Sequence, residues 1–117
     1  LSALRLGNVL MSRGDDEGAR SAYETAYRLR DSLSSPQAAL NLGVLDEDLG
    51  RWREAAGHWE YALSAGDDEI RPLAAFNLAR SWERRRRWRR ARRFYEIALG
   101  ATDRDVVARA RAALDGR

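Results

Sequence analysis

Few residues in this sequence could do chemistry, and their spacing narrows what that chemistry is. Nine arginines lie from Arg80 to Arg93, eight of them in the run SWERRRRWRRARRFYE, the densest charge in the chain. At its centre Arg84, Arg85, Arg86, Arg87, Arg89 and Arg90 are side chains that would grip phosphates, so binding of a polyanion or nucleic acid is one reading. The blander reading pairs Arg80, Arg84 and Arg85 with the acids Asp46, Glu47 and Asp48, because ion pairs are commoner than binding sites. Trp82 and Trp88 flank the arginines and could stack on bases, although aromatic residues here also serve packing. Three asparagines, Asn8, Asn41 and Asn77, each offer a donor and an acceptor, which suits an extended peptide backbone. The acid runs Asp15-Asp16-Glu17 and Asp67-Asp68-Glu69 fall where helices begin, and there carboxylates stabilise the helix dipole without a metal. A lone His58 and the absence of Cys leave no basis for a histidine metal site, a catalytic triad, thiol chemistry or disulfides. No Gly-rich phosphate loop or nucleophile elbow is present. Neither an enzyme nor a cofactor nor a metal is expected.

The elements that must position these residues recur with a period of 36. Leu6, Leu42 and Leu78 fall in register, followed by Gly7, Gly43 and Ala79. Further columns are Ala19/Ala55/Ala91, Tyr23/Trp59/Tyr95 and Ala26/Ala62/Ala98, with Asp31, Asp67 and Asp103 closing the units. Pro36 pairs with Pro72, and Trp52 with Trp88. So many matches at one offset establish an internal repeat. Each unit reads as two helices. In the second, Pro36 suits a first turn, apolar residues from Ala39 to Leu49 recur at helical spacing, and Gly50 ends the helix. A second helix follows from about Trp52 to Ser64, with Ala55, Ala56, Trp59, Ala62 and Leu63 on one stripe. The strand pattern of alternating β-branched residues is missing, so the fold class is all-α. At 44% apolar and 33% charged, the chain is too hydrophobic for disorder, and no stretch reaches the ~20 apolar residues of a membrane span.

The 36-residue helix-turn-helix unit resembles the tetratricopeptide repeat. Leu42-Gly43-Val44-Leu45 and Ala55, Trp59 and Ala62 carry the likeness best, and it covers nearly the whole chain. The unit is two residues longer than the family's usual 34, and Asp31, Asp67 and Asp103 stand where its closing proline falls. The resemblance implies a right-handed α-solenoid of about seven helices, forming a single repeat domain over 1–117. Its units run roughly 1–34, 35–70 and 71–105, with a partial fourth or capping helix at 106–115. A fragment of a larger, bacterial, cytoplasmic protein is expected.

In such a solenoid the first helices build the concave face. The columns expected there are Leu4/Leu40/Phe76, Arg5/Asn41/Asn77, Asn8/Val44/Arg80, Met11/Glu47/Glu83 and Ser12/Asp48/Arg84. Asn8, Asn41, Val44, Phe76, Asn77 and Arg80 are the expected peptide contacts. Asn41 and Asn77 look like rungs of the asparagine ladder that reads peptide backbone in some members, and bracing of neighbouring helices is an equal alternative. The carboxylate clamp of chaperone-binding members is rejected, because Leu4, Leu73 and Asn77 stand where it needs basic residues. Charge is unevenly spread. Residues 1–36 are neutral, 37–72 carry three Arg against eight acids, and 73–117 carry thirteen Arg against five. Arg86 also replaces the turn glycine of Gly14 and Gly50, where a side chain costs about 1 kcal/mol. The expected function is a protein-interaction scaffold with a protein or peptide partner and no membrane; nucleic acid on the arginine patch ranks second.

Overall fold

The structure, a computed structural model, describes residues 2–30 and 34–116, so Asp31 of the aspartate column lies outside the described residues. Among the described residues seven helices follow one another: α1 (Ala3–Ser12), α2 (Asp16–Arg28), α3 (Ser35–Asp48), α4 (Trp52–Ala65), α5 (Ile70–Arg84), α6 (Trp88–Ala98) and α7 (Arg104–Asp115). No strand occurs among the described residues. Helices pair as α1 with α2, α3 with α4 and α5 with α6, and the pairs stack through α2 on α3 and α4 on α5, with α7 packed on α6. The result is the all-α solenoid that the period implies, 43 Å long and 28 by 22 Å across.

One turn geometry is used three times. After each first helix the chain enters the left-handed region at Gly14 (φ 79°), Gly50 (φ 77°) and Arg86 (φ 60°). The N–H groups of Asp15, Arg51 and Arg87 then donate back to the carbonyls of Leu10, Asp46 and Trp82, at 2.9, 2.8 and 3.0 Å. These back-bonds satisfy carbonyls that a helix end otherwise leaves open. Arg86 takes the glycine conformation despite its side chain, as the register predicts. Arg30 (φ 54°) does the same after α2, unforeseen, with its guanidinium 4.0 Å over the Tyr27 ring and 4.6 Å over Tyr61. The aspartates in the proline column also have a task. Asp67 accepts from the N–H groups of Glu69 and Ile70, and Asp103 from that of Asp105, so each opens the following helix.

The small-residue columns mark close helix contacts. A side chain at Gly7 would run into the Tyr23 ring, and one at Gly43 into the Trp59 indole. Trp59 is buried and donates its indole N–H to the Leu40 carbonyl at 3.1 Å. Burial of the register leucine depends on neighbours: Leu42 and Leu78 are fully covered, whereas Leu6 is 40% exposed. Three apolar clusters result. The first joins Ala19, Tyr23 and Ala26 to Ala38, Leu42 and Leu45. A second joins Ala55, Ala56 and Trp59 to Ala74 and Leu78. The third joins Ala79, Ala91 and Tyr95 to Ala110 of α7. Each cluster therefore bridges successive helix pairs, the arrangement that makes a solenoid's stability a nearest-neighbour property.

Candidate functional site

Side chains of α1, α3 and α5 line a shallow groove on one face of the stack. Between α3 and α5 lies a hollow of about 270 Å³ bordered by Val44, Glu47, Asn77, Arg80 and Arg84. Between α1 and α3 lies another of about 320 Å³ bordered by Asn8, Met11, Tyr23, Asn41 and Val44. Val44 belongs to both and is 40% exposed, so the two hollows adjoin at it. Five of the six expected peptide contacts thus meet in one groove. Phe76 is the correction. It is 7% exposed, with its ring 6.0 Å from that of Tyr95 in the third apolar cluster, and Arg80 lies 5.7 Å over its face. The column it shares with Leu40 points between helices and leaves almost no area for a ligand.

The asparagines divide between the two roles. Asn8 accepts from the Tyr23 hydroxyl at 2.6 Å and from the Asn41 amide at 3.3 Å. Asn41 in turn accepts from Gln37 at 3.2 Å. This chain braces α1 against α2 and α3. Burial pushes the Tyr23 phenol above its ordinary value, and the Asn41 side chain acts in the opposite sense. Asn77, by contrast, makes no side-chain hydrogen bond among the described residues and faces the open hollow.

The arginine run splits in the same manner. Arg84 pairs with Glu47 at 2.7 Å, as one form of the bland reading holds. Arg85 does not meet an acid; it donates to the carbonyl and hydroxyl of Ser81 and stacks 4.3 Å over Trp52. Burial lowers its pKa, with Glu47 opposing and Arg84 reinforcing the shift. Arg80 has no carboxylate partner among the described residues. Arg90 lies 4.8 Å over Trp82, whose edge is turned to Trp52, and Trp88 packs on Tyr95, so both tryptophans serve packing. Around the start of α6 the remaining arginines, Arg86, Arg87 and Arg89, form no ion pair among the described residues and border a hollow of about 290 Å³ with Arg90 and Trp88. Among the described residues no group of His and acid side chains is placed to hold a metal.

Residues 74–106 match the family model of the tetratricopeptide repeat. They span most of the third of three units that share one turn geometry and one set of core columns. The match covers one unit, less than half of the chain, and marks that unit as a tetratricopeptide repeat. Among solved structures this chain is similar to the N-terminal domain of stress-induced protein-1 (STI-1) from C. elegans. The TM-score is 0.75 at 18% identity, covering 95% of this chain and 91% of that one. At such identity the likeness is one of fold. No curated protein matches the sequence.

One cluster escapes the repeat logic. Asp46, fully buried on α3, meets Arg20 of α2 in an ion pair at 2.5 Å. The two atoms are in contact but not aligned for a hydrogen bond, and both are shut off from solvent. Its other oxygen accepts from His58 Nδ1 of α4 at 2.6 Å, and the imidazole stands edge-on to Tyr27. Arg20 also reaches Glu24 at 3.2 Å. Asp46 does not meet the arginines of α5, with which the sequence pairs it; it meets Arg20 and the half-buried His58 instead. The signal was in the columns of the repeat: Asp46 stands where the other units have Leu10 and Trp82, and His58 where they have Ala22 and Phe94.

Proposed function

We propose that this chain is a non-enzymatic scaffold that binds an extended or helical peptide segment of a protein partner along the groove between α1, α3 and α5. Tetratricopeptide repeats generally mediate protein–protein interaction. The observation that carries the reading is Asn77, whose amide is unpaired beside the exposed Val44 and Arg80. A mostly polar hollow with one exposed apolar residue suits an extended backbone, which offers both donors and acceptors. Asn77, Arg80 and Val44 contact the ligand, and Asn8 and Asn41 hold the wall. The working unit is the whole stack, with repeats near 1–34, 35–70 and 71–105 and a partial fourth at 106–115, in a cytoplasmic setting. No helix among the described residues is long and apolar enough to cross a membrane.

The test is to select peptides on the immobilised chain and measure their affinity for two variants. Val44→Asp should abolish capture. Asn77→Ala should weaken binding roughly three- to tenfold, the worth of one net hydrogen bond, and leave the melting temperature unchanged. Asn41→Ala should instead lower stability by about 0.5–1.5 kcal/mol, because it strips partners from Asn8 and Gln37. Peptides that bind both groove variants as tightly as the parent would refute the assignment.

A further inference from the structure

Helix direction decides where the charges gather. First helices run toward, and second helices away from, the turns at 13–15, 49–51 and 85–87, so all three turns emerge along one edge of the stack. At one end of this edge stand Asp15, Asp16 and Glu17, all exposed, with Arg13 beside them. At the other end stand Arg86, Arg87, Arg89 and Arg90, also exposed. Between them the middle turn is balanced, with Asp48 and Glu54 against Arg51 and Arg53, around a Leu49 that is 61% exposed. A small hollow of about 100 Å³ opens next to Leu49, between Leu45, Asp16, Glu17 and the stem of Arg20. With neighbouring helices about 8–10 Å apart, the acidic and basic ends lie at similar distances on either side of Leu49.

A two-fold axis through the middle turn would therefore lay the acidic end of one molecule on the arginine end of another. We infer that this edge is a self-complementary interface through which two copies of the chain associate, with Leu49 of each seated in the other's hollow. The symmetry is of the kind that closes, since one patch serves both partners. A second copy accounts for features that sit awkwardly in the isolated chain. Arg86 holds a glycine conformation, and Arg87, Arg89 and Arg90 crowd the positive start of α6, where α2 has acids. A nucleic-acid backbone would satisfy the arginines but be repelled by the acids on the same edge, whereas a second copy uses both. Contacts of this sort are strongly weakened by salt.

Sedimentation velocity of the full chain tests this. In about 10 mM salt, where the Debye length is about 30 Å, a dimer is expected; in about 1 M salt, where it is about 3 Å, a monomer. One variant carries Arg86→Glu, Arg87→Glu, Arg89→Glu and Arg90→Glu, and a second carries Asp16→Arg and Glu17→Arg, leaving the cap Asp15 in place. Each alone should self-associate at least about tenfold more weakly, because like charges then face each other. Mixed in equal amounts they should recover a dimer, since every contact is again between opposite charges. A parent chain that is monomeric in low salt overturns the proposal, as does a mixture that stays monomeric while circular dichroism shows both variants folded. A monomeric parent that binds polyphosphate through these arginines overturns it too, and assigns the patch to an external polyanion.

Discussion

Asp46→Ala tests how the first two repeats are held together. Asp46 is fully buried, while the side chains of Arg20 and His58 are 22% and 20% exposed. Removing the carboxylate leaves Arg20 with only Glu24 and leaves the His58 ring N–H without an acceptor. Breaking a buried pair from one side costs about 3–5 kcal/mol. The partial exposure of both partners lets some hydration return, which places the expected loss at about 2–3 kcal/mol. With an m-value of about 1–3 kcal/mol/M, the urea midpoint followed by circular dichroism should fall by about 0.7–3 M. A midpoint within ~0.3 M of the parent's would refute the reasoning. A triple variant, Asp46→Leu with Arg20→Met and His58→Phe, separates charge from packing. Leu and Phe occupy these columns in other repeats, so an apolar replacement of the whole cluster should come within about 1 kcal/mol of the parent. If the triple falls as far as Asp46→Ala, lost packing and not the unpaired charge is the cause.

Other substitutions read the remaining structure. Gly43→Ala drives a methyl into the Trp59 indole and should cost about 1–3 kcal/mol by urea melt. Arg86→Gly relieves a left-handed side chain and should raise stability by up to about 1 kcal/mol in a thermal melt, with a drop counting against strain at that turn. The Tyr23 phenol is raised by burial, so its contribution is complete below the ordinary value of 10.0 and is lost as pH climbs through the higher folded value. Tyr23→Phe should accordingly lose less stability than the parent when melts are repeated above pH 10.0.

Much of this was legible because the repeat writes each local signal several times. Gly14 and Gly50 announce the turn, and register alone then puts Arg86 in the same left-handed conformation. Pro36 and Gly50 bracket a helix that runs from Ser35 to Asp48. Reading side-chain direction from adjacent positions was less secure. Asp46, Glu47 and Asp48 look like one acidic face, yet a helix turns about 100° per residue, so they point three ways. Asp46 enters the core, Glu47 reaches Arg84 beside the groove, and Asp48 is exposed. Phe76 misled for a related reason, since its column lies at the border between the groove and the helix contact, and bulk carried it inward. The asparagine columns showed position but not engagement. Only the neighbouring Tyr23 and Gln37 decide that Asn8 and Asn41 are occupied while Asn77 is not.

The Arg20–Asp46–His58 cluster also gives the stack an order. An array of near-identical units has near-identical joints, and any pair could in principle nest on any other, within one chain or between two. Here the joint between the first and second pairs can close only if an Arg from α2 and a His from α4 arrive together at the same carboxylate. If α3 and α4 stacked without Arg20, the Asp46 charge would be buried with half its partners missing. The cluster thus labels the joint between the first two pairs, because only a neighbour that brings a cation to Asp46 leaves that buried charge compensated.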